Sequence, residues 1–117
     1  MNMGHPNSFS LVKRDAKAGC LSTLTVALDD LFQWEGLTRL DYLKIDAEGA
    51  EEQVLAGARR IVTRYRPIIQ VEILLRDASL SLPDYSVFAA AGSPNKIYIP
   101  NESANVGLPK QWGWIPL

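Results

Sequence analysis

Residues 67–75 read PIIQVEILL, and this run restricts the fold more than any other stretch of the chain. Apolar side chains occupy both alternating sets of positions, and Ile68, Ile69, Val71 and Ile73 are β-branched, so the run suits a strand covered on both faces. Such a strand needs a helical layer, and the preceding residues offer one. Ala50, Val54, Leu55, Ala58, Ile61, Val62 and Tyr65 recur at three- and four-residue steps, which predicts a single amphipathic helix over residues 50–65. Glu51 and Glu52 at its start and Arg59, Arg60 and Arg64 toward its end complement the helix dipole, and Pro67 stops it. Upstream, LDYLKI at residues 40–45 is a second strand. Strand, helix, strand in this order implies a right-handed parallel unit.

The flanks are less regular. Gly4, Pro6, Asn7 and Gly19 surround a brief alternation in SFSLVK, so residues 1–20 read as an irregular lead-in with at most one short strand. LSTLTV, residues 21–26, alternates apolar and hydroxyl side chains as a half-buried strand does. LDDLFQWEG follows as a short helix, with Asp29 and Asp30 in its first turn and Gly36 at its end. YSVFAAA and NKIYIP, joined through Gly92, Ser93 and Pro94, form an antiparallel hairpin at a sheet edge. Residues 104–117 hold Trp112 and Trp114 among Gly and Pro and read as a packed, irregular tail. The fold class is α/β, and 117 residues suffice for one domain.

A formal charge of -1 gives no sequence-independent attraction to nucleic acid or anionic lipid. Cys20 is the only cysteine, which leaves no intramolecular disulfide or cysteine-rich metal site and suits a reducing cytoplasm. MNMGHPNSFS has neither the basic lead nor the apolar run of a signal peptide, and residues 67–75 are too short and polar to span a bilayer. The expectation is a soluble cytoplasmic chain.

Residues 46–52, DAEGAEE, place four carboxylates at one strand-to-helix corner. In open α/β sheets ligands bind beyond the carboxyl ends of strands, which is where Asp46 falls. Gly49 allows a tight turn and a close approach to a ligand. Helix starts ordinarily attract anions, but Asp46, Glu48, Glu51 and Glu52 screen or reverse that preference. A phosphate is thereby disfavoured; a cation, a sulfonium, a metal or a hydroxyl that must lose its proton fits better. Glu51 and Glu52 are also what a helix start carries with no ligand at all, whereas Asp46 and Glu48 precede the helix. A divalent ion at Asp46 and Glu48 is a further alternative.

TVALDDLF, DYLKIDAEGAEEQVLAGA and RPIIQVEI together resemble the second half of the FkbM family of S-adenosylmethionine-dependent methyltransferases. The corner carries most of the likeness, from Lys44 to Glu51 and then at Val54, Leu55, Gly57 and Ala58. SPNKIYIP and NMGHPNS are also similar to segments of some members. The resemblance implies a Rossmann-like sheet ending in an antiparallel hairpin, and in-line methyl transfer from the sulfonium to an oxygen. It implies Asp46, Glu48 and Glu72 around the acceptor hydroxyl, Asp46 and Gly49 beside the cofactor, and Asn2, His5 and Lys44 as acceptor contacts. The acceptor would be a small molecule, or a hydroxyl of a glycan or lipid.

Two departures qualify the likeness. Many members have Thr where this chain has Ala27, which removes an N-cap ahead of LDDLF. More seriously, no strand, Gly-rich turn and helix that could cradle the cofactor precede residue 21. The chain is therefore expected to be the C-terminal part of a methyltransferase domain without its cofactor-binding half. The rival expectation is a non-catalytic half-domain that associates with another chain, or with itself, through an open sheet.

Overall fold

A computed structural model describes residues 9–16, 19–73 and 80–117, with side chains from residue 24 onward. Two eight-residue strands, β1 (Phe9–Ala16) and β2 (Gly19–Val26), pair antiparallel from Phe9↔Val26 to Ala16↔Gly19. The lead-in is thus more regular than its Gly and Pro content suggests: a long first strand forms because a second one pairs along its whole length. The expected half-burial of β2 fails at its end, where Leu24 is 65% exposed and Val26 lies at the surface.

Helix α1 (Leu28–Trp34) and strand β3 (Tyr42–Ile45) lie where the sequence places them. The helix expected over residues 50–65 is two helices, α2 (Glu51–Ala56) and α3 (Arg59–Tyr65). The cause lies in α1. The Asp29 carboxylate accepts hydrogen bonds from the backbone N–H groups of Arg60 at 3.0 Å and Ile61 at 2.9 Å, capping α3 from a distance. In return, the Asp29 N–H donates to the Gly57 carbonyl at 2.8 Å. Ala27 sits at the N-cap of α1 with no side-chain hydrogen bond, so the Gly57 carbonyl satisfies a donor that a capping hydroxyl would otherwise serve. A Cβ on Gly57 would stand 3.3 Å from the Ala27 Cβ, so the glycine permits this close approach. Arg59 and Arg60 consequently begin a helix instead of ending one. Arg60 lies 3.6 Å from Asp29 and 3.5 Å from Asp30, which offsets its unfavourable place on the dipole.

Strand β4 (Ile68–Glu72) pairs parallel with β3 from Tyr42↔Ile68 to Ile45↔Val71, as the strand–helix–strand order requires. Strands β5 (Tyr85–Ala89) and β6 (Asn95–Pro100) form the expected hairpin, and β6 pairs antiparallel with β4. The tail is not irregular: it forms a short helix α4 (Leu108–Gln111) and a two-residue strand β7 (Ile115–Pro116) on the edge of β5. The mixed five-stranded sheet runs β3-β4-β6-β5-β7, and β1 with β2 make a separate sheet.

Alternation along the strands assigns two cores. On one face Ile45, Ile69, Val71, Ile73 and Tyr98 pack with Ala58, Ile61 and Val62 of the helices. On the other, Phe88, Ile97 and Ile99 pack with Ile68, Val106 and Trp114. Ile69 and Val71 are fully buried on one face of β4 and contribute about 2 kcal/mol each, whereas Ile68 on the opposite face is half-buried against the second core, so the strand expected to be covered on both faces is covered fully on one and partly on the other. Tyr85 and Tyr98 enter this interior with their hydroxyls satisfied, donating to the Pro67 carbonyl at 2.7 Å and accepting from the Leu80 N–H at 2.9 Å. Among the described residues no helix is long and apolar enough to cross a membrane.

Candidate functional site

The acidic corner follows directly from β3. Ile45 anchors the strand end in the core at 3% exposure, Asp46 emerges to solvent, and Ala47 turns back against the core. Two left-handed residues make the bend, Glu48 at φ 48° and Gly49 at φ 102°. The second value suits only glycine, and no atom lies within 4 Å of where a Cβ would stand, so the requirement is purely one of backbone conformation. The Ala50 N–H closes the turn on the Ala47 carbonyl at 3.2 Å.

Glu51 separates from the other carboxylates. It is buried, and both its oxygens accept from the Gly49 N–H at 3.1 Å. Backbone N–H groups, Gly49's first and then its own, hold its carboxyl below the ordinary value of 4.5. Its role at the corner is to fasten the turn. Asp46, Glu48 and Glu52 remain exposed.

Glu72 ends β4, half-buried, in register with Asn95 of β6. Because Ile45 pairs with Val71 in the parallel ladder, Asp46 and Glu72 come next on neighbouring strands at one rim of the sheet. Lys44 is exposed and shares a face with Tyr42, Gln70 and Glu72; the Tyr42 hydroxyl donates to Gln70 Oε1. The structure therefore brings Asp46, Glu48, Gly49, Glu72 and Lys44 to one end and edge of the sheet. Asn2 and His5 lie outside the described residues.

Such a rim offers hydrogen-bond acceptors and negative charge to a ligand approaching beyond the strand ends. Among the described residues no group of three or more His, Cys, Asp or Glu side chains gathers to hold a metal, so a divalent ion at Asp46 and Glu48 lacks a third such ligand there. A separate groove of about 620 Å³ opens between α2, α3 and residues 80–85, with Glu52, Arg59, Arg66 and Tyr85 on its walls. It contains none of the expected site residues. Nothing in the local sequence announces it, because it depends on residues 80–85 folding back on the helices.

Compared with known families, the chain matches the methyltransferase FkbM domain over residues 4–83, a stretch that includes α1, the acidic corner and β4 but stops before the β5–β6 hairpin. No curated protein and no solved structure matches it.

Proposed function

From membership of the FkbM methyltransferase family, to which this chain belongs through residues 4–83, we propose that its acidic corner serves S-adenosylmethionine-dependent methyl transfer to a hydroxyl oxygen. The observation that carries this reading is the parallel pairing of β3 with β4, which sets Asp46 and Glu72 side by side beyond two strand ends. That pairing, with the antiparallel β5–β6 hairpin alongside, supports a Rossmann-like arrangement.

When bound, S-adenosylmethionine supplies an electrophilic methyl group on a sulfonium. The residues present fit the reacting end of that molecule: exposed carboxylates at Asp46 and Glu48 favour a cation, and Gly49 leaves open space at the bend. They do not fit its nucleoside end. Among the described residues before α1 there is an antiparallel hairpin instead of a strand, Gly-rich turn and helix. We therefore assign Asp46, with Glu72 beside it, to hold the acceptor hydroxyl and take its proton, and Lys44 to contact the acceptor.

The test is an amide-resolved NMR titration with S-adenosylmethionine. Weak, millimolar binding is expected, with shifts at Asp46, Glu48, Gly49 and Glu72 that vanish in Asp46→Asn. Shifts elsewhere only would overturn the assignment of the corner, and micromolar affinity by calorimetry would overturn the misfit of the described residues to the nucleoside end.

A second reading, association through an open sheet, is favoured by one observation. β3 ends the order of the five-stranded sheet, so its far edge has no neighbour among the described residues.

A further inference from the structure

The groove between the helices and residues 80–85 stands apart from the corner, and both of its walls are anchored. One wall is a stripe that passes unbroken through the join of α2 and α3: Glu52, Leu55, Arg59, Val62 and Arg66 recur at three- and four-residue steps. The other wall is held at both ends. The Leu80 N–H donates to the Tyr98 hydroxyl at 2.9 Å; at the far end the Arg66 Nη2 donates to the Asp84 carbonyl at 2.9 Å, and the Tyr85 hydroxyl donates to the Pro67 carbonyl. The floor is apolar, with Val62 and Leu80 buried and Leu55 and Leu82 half-buried against the core. A volume of about 620 Å³ falls within the range of small-molecule sites.

Charge decides what this groove admits. Arg66 is committed to Glu102, to the Asp84 carbonyl and to the Tyr85 ring. Arg59 is exposed and has no ion pair among the described residues. It begins α3, the unfavourable end of a helix for a cation, and Asp29 and Asp30, which compensate its neighbour Arg60, do not pair with it. Thr63, one turn on, brings a hydroxyl to the same groove. Carboxylates stand only toward the ends of this lining, Glu52 at one and Asp84 at the other. A cation without a protein partner therefore occupies the middle of an apolar trough with negative groups beyond it on either side.

We propose that this groove binds a monocarboxylate with a linear apolar chain, the carboxylate on Arg59 and Thr63 and the chain along Leu55, Val62, Leu80 and Leu82. The guanidinium offers parallel N–H donors that match one carboxylate. From Glu52 to Arg66 the stripe is about 20 Å long at the helical rise, a length that a linear chain follows. Glu52 and Asp84 disfavour a second negative group at the end of that chain. The groove holds none of the residues assigned to the acceptor, so it stands whether or not the corner transfers methyl groups.

Amide-resolved NMR titrations of the whole chain with octanoate, octan-1-ol and octanedioate test the proposal. Octanoate should bind with a dissociation constant on the order of 0.5 mM and shift amides of residues 52–66 and 80–85. Octan-1-ol and octanedioate should each bind about tenfold more weakly. Arg59→Gln should weaken octanoate about tenfold and leave octan-1-ol unchanged, whereas Arg64→Gln, which removes an exposed arginine of the same helix outside the groove, should leave both unchanged. Equal affinity for octanoate and octan-1-ol, equal effects of the two substitutions, shifts confined to other residues, or no binding at about 5 mM would overturn it. None of these outcomes bears on the titration with S-adenosylmethionine, which reads different residues.

Discussion

Gly49 and Glu51 perform different parts of one task at the corner. The glycine adopts φ 102°, and the glutamate fixes the N–H of that same residue with both oxygens. Gly49→Ala should cost about 1–2 kcal/mol, all of it backbone strain since the added methyl meets nothing. A urea denaturation midpoint shows this directly: a lowered midpoint at unchanged slope is expected, and an unchanged midpoint would mean that the bend differs. The need for glycine and the place of Asp46 at a strand end were legible in DAEGAEE, because a strand followed at once by a helix demands a sharp bend; the full exposure of Asp46 was not. That Glu51 turns inward was not, since Glu51 and Glu52 are chemically identical and only the path of the bend distinguishes them.

Among the helices, the most informative contact joins residues far apart in sequence. Asp29 caps α3 with its carboxylate, and its N–H closes on Gly57. Asp29→Ala should cost about 2 kcal/mol through the two N–H groups it abandons. Asp30→Ala, which loses only a 3.5 Å pairing with exposed Arg60, should cost under about 0.5 kcal/mol. Chemical denaturation of the two variants side by side checks the contrast. The helix break could not be read beforehand, because the apolar stripe runs unbroken through residues 50–65 and Gly57 alone does not end a helix. The acidic pair at Asp29 and Asp30 was legible as a helix start, but it starts two helices. Periodicity likewise found β3, β4 and the β5–β6 hairpin, while β7, at two residues, is too short to show any.

Acid and alkali should strain the whole molecule at different places. Arg66, itself left-handed at φ 49°, ends α3 and ties it to the hairpin: its Nε donates to Glu102 at 2.7 Å, its Nη2 to the Asp84 carbonyl at 2.9 Å, and its guanidinium covers the Tyr85 ring at 4.5 Å. The hydrogen bond from Arg66 holds the Glu102 carboxyl below 4.5, as backbone N–H groups hold Glu51. Both carboxyls stabilise the fold fully above that ordinary value, and the contribution disappears as pH falls through their lower folded values. Burial pushes the Tyr85 phenol up to about 12, so its contribution is intact below 10 and lost as pH rises toward 12. A thermal midpoint followed across pH should be flat in the middle and decline at both ends, with Glu102→Gln reducing the acid slope and leaving most of the alkaline one, which comes chiefly from the burial of Tyr85.

The far border of the sheet ends differently from β3. The Leu117 N–H donates to the Val87 carbonyl, so Pro116, opposite Phe88, points away from β5 at the one place where a further chain could dock. Proline has no hydrogen to offer there. A further strand is thereby refused a ladder hydrogen bond on that side, so the two borders of the sheet are unequal: one is closed by a proline and the other, at β3, has no neighbour among the described residues.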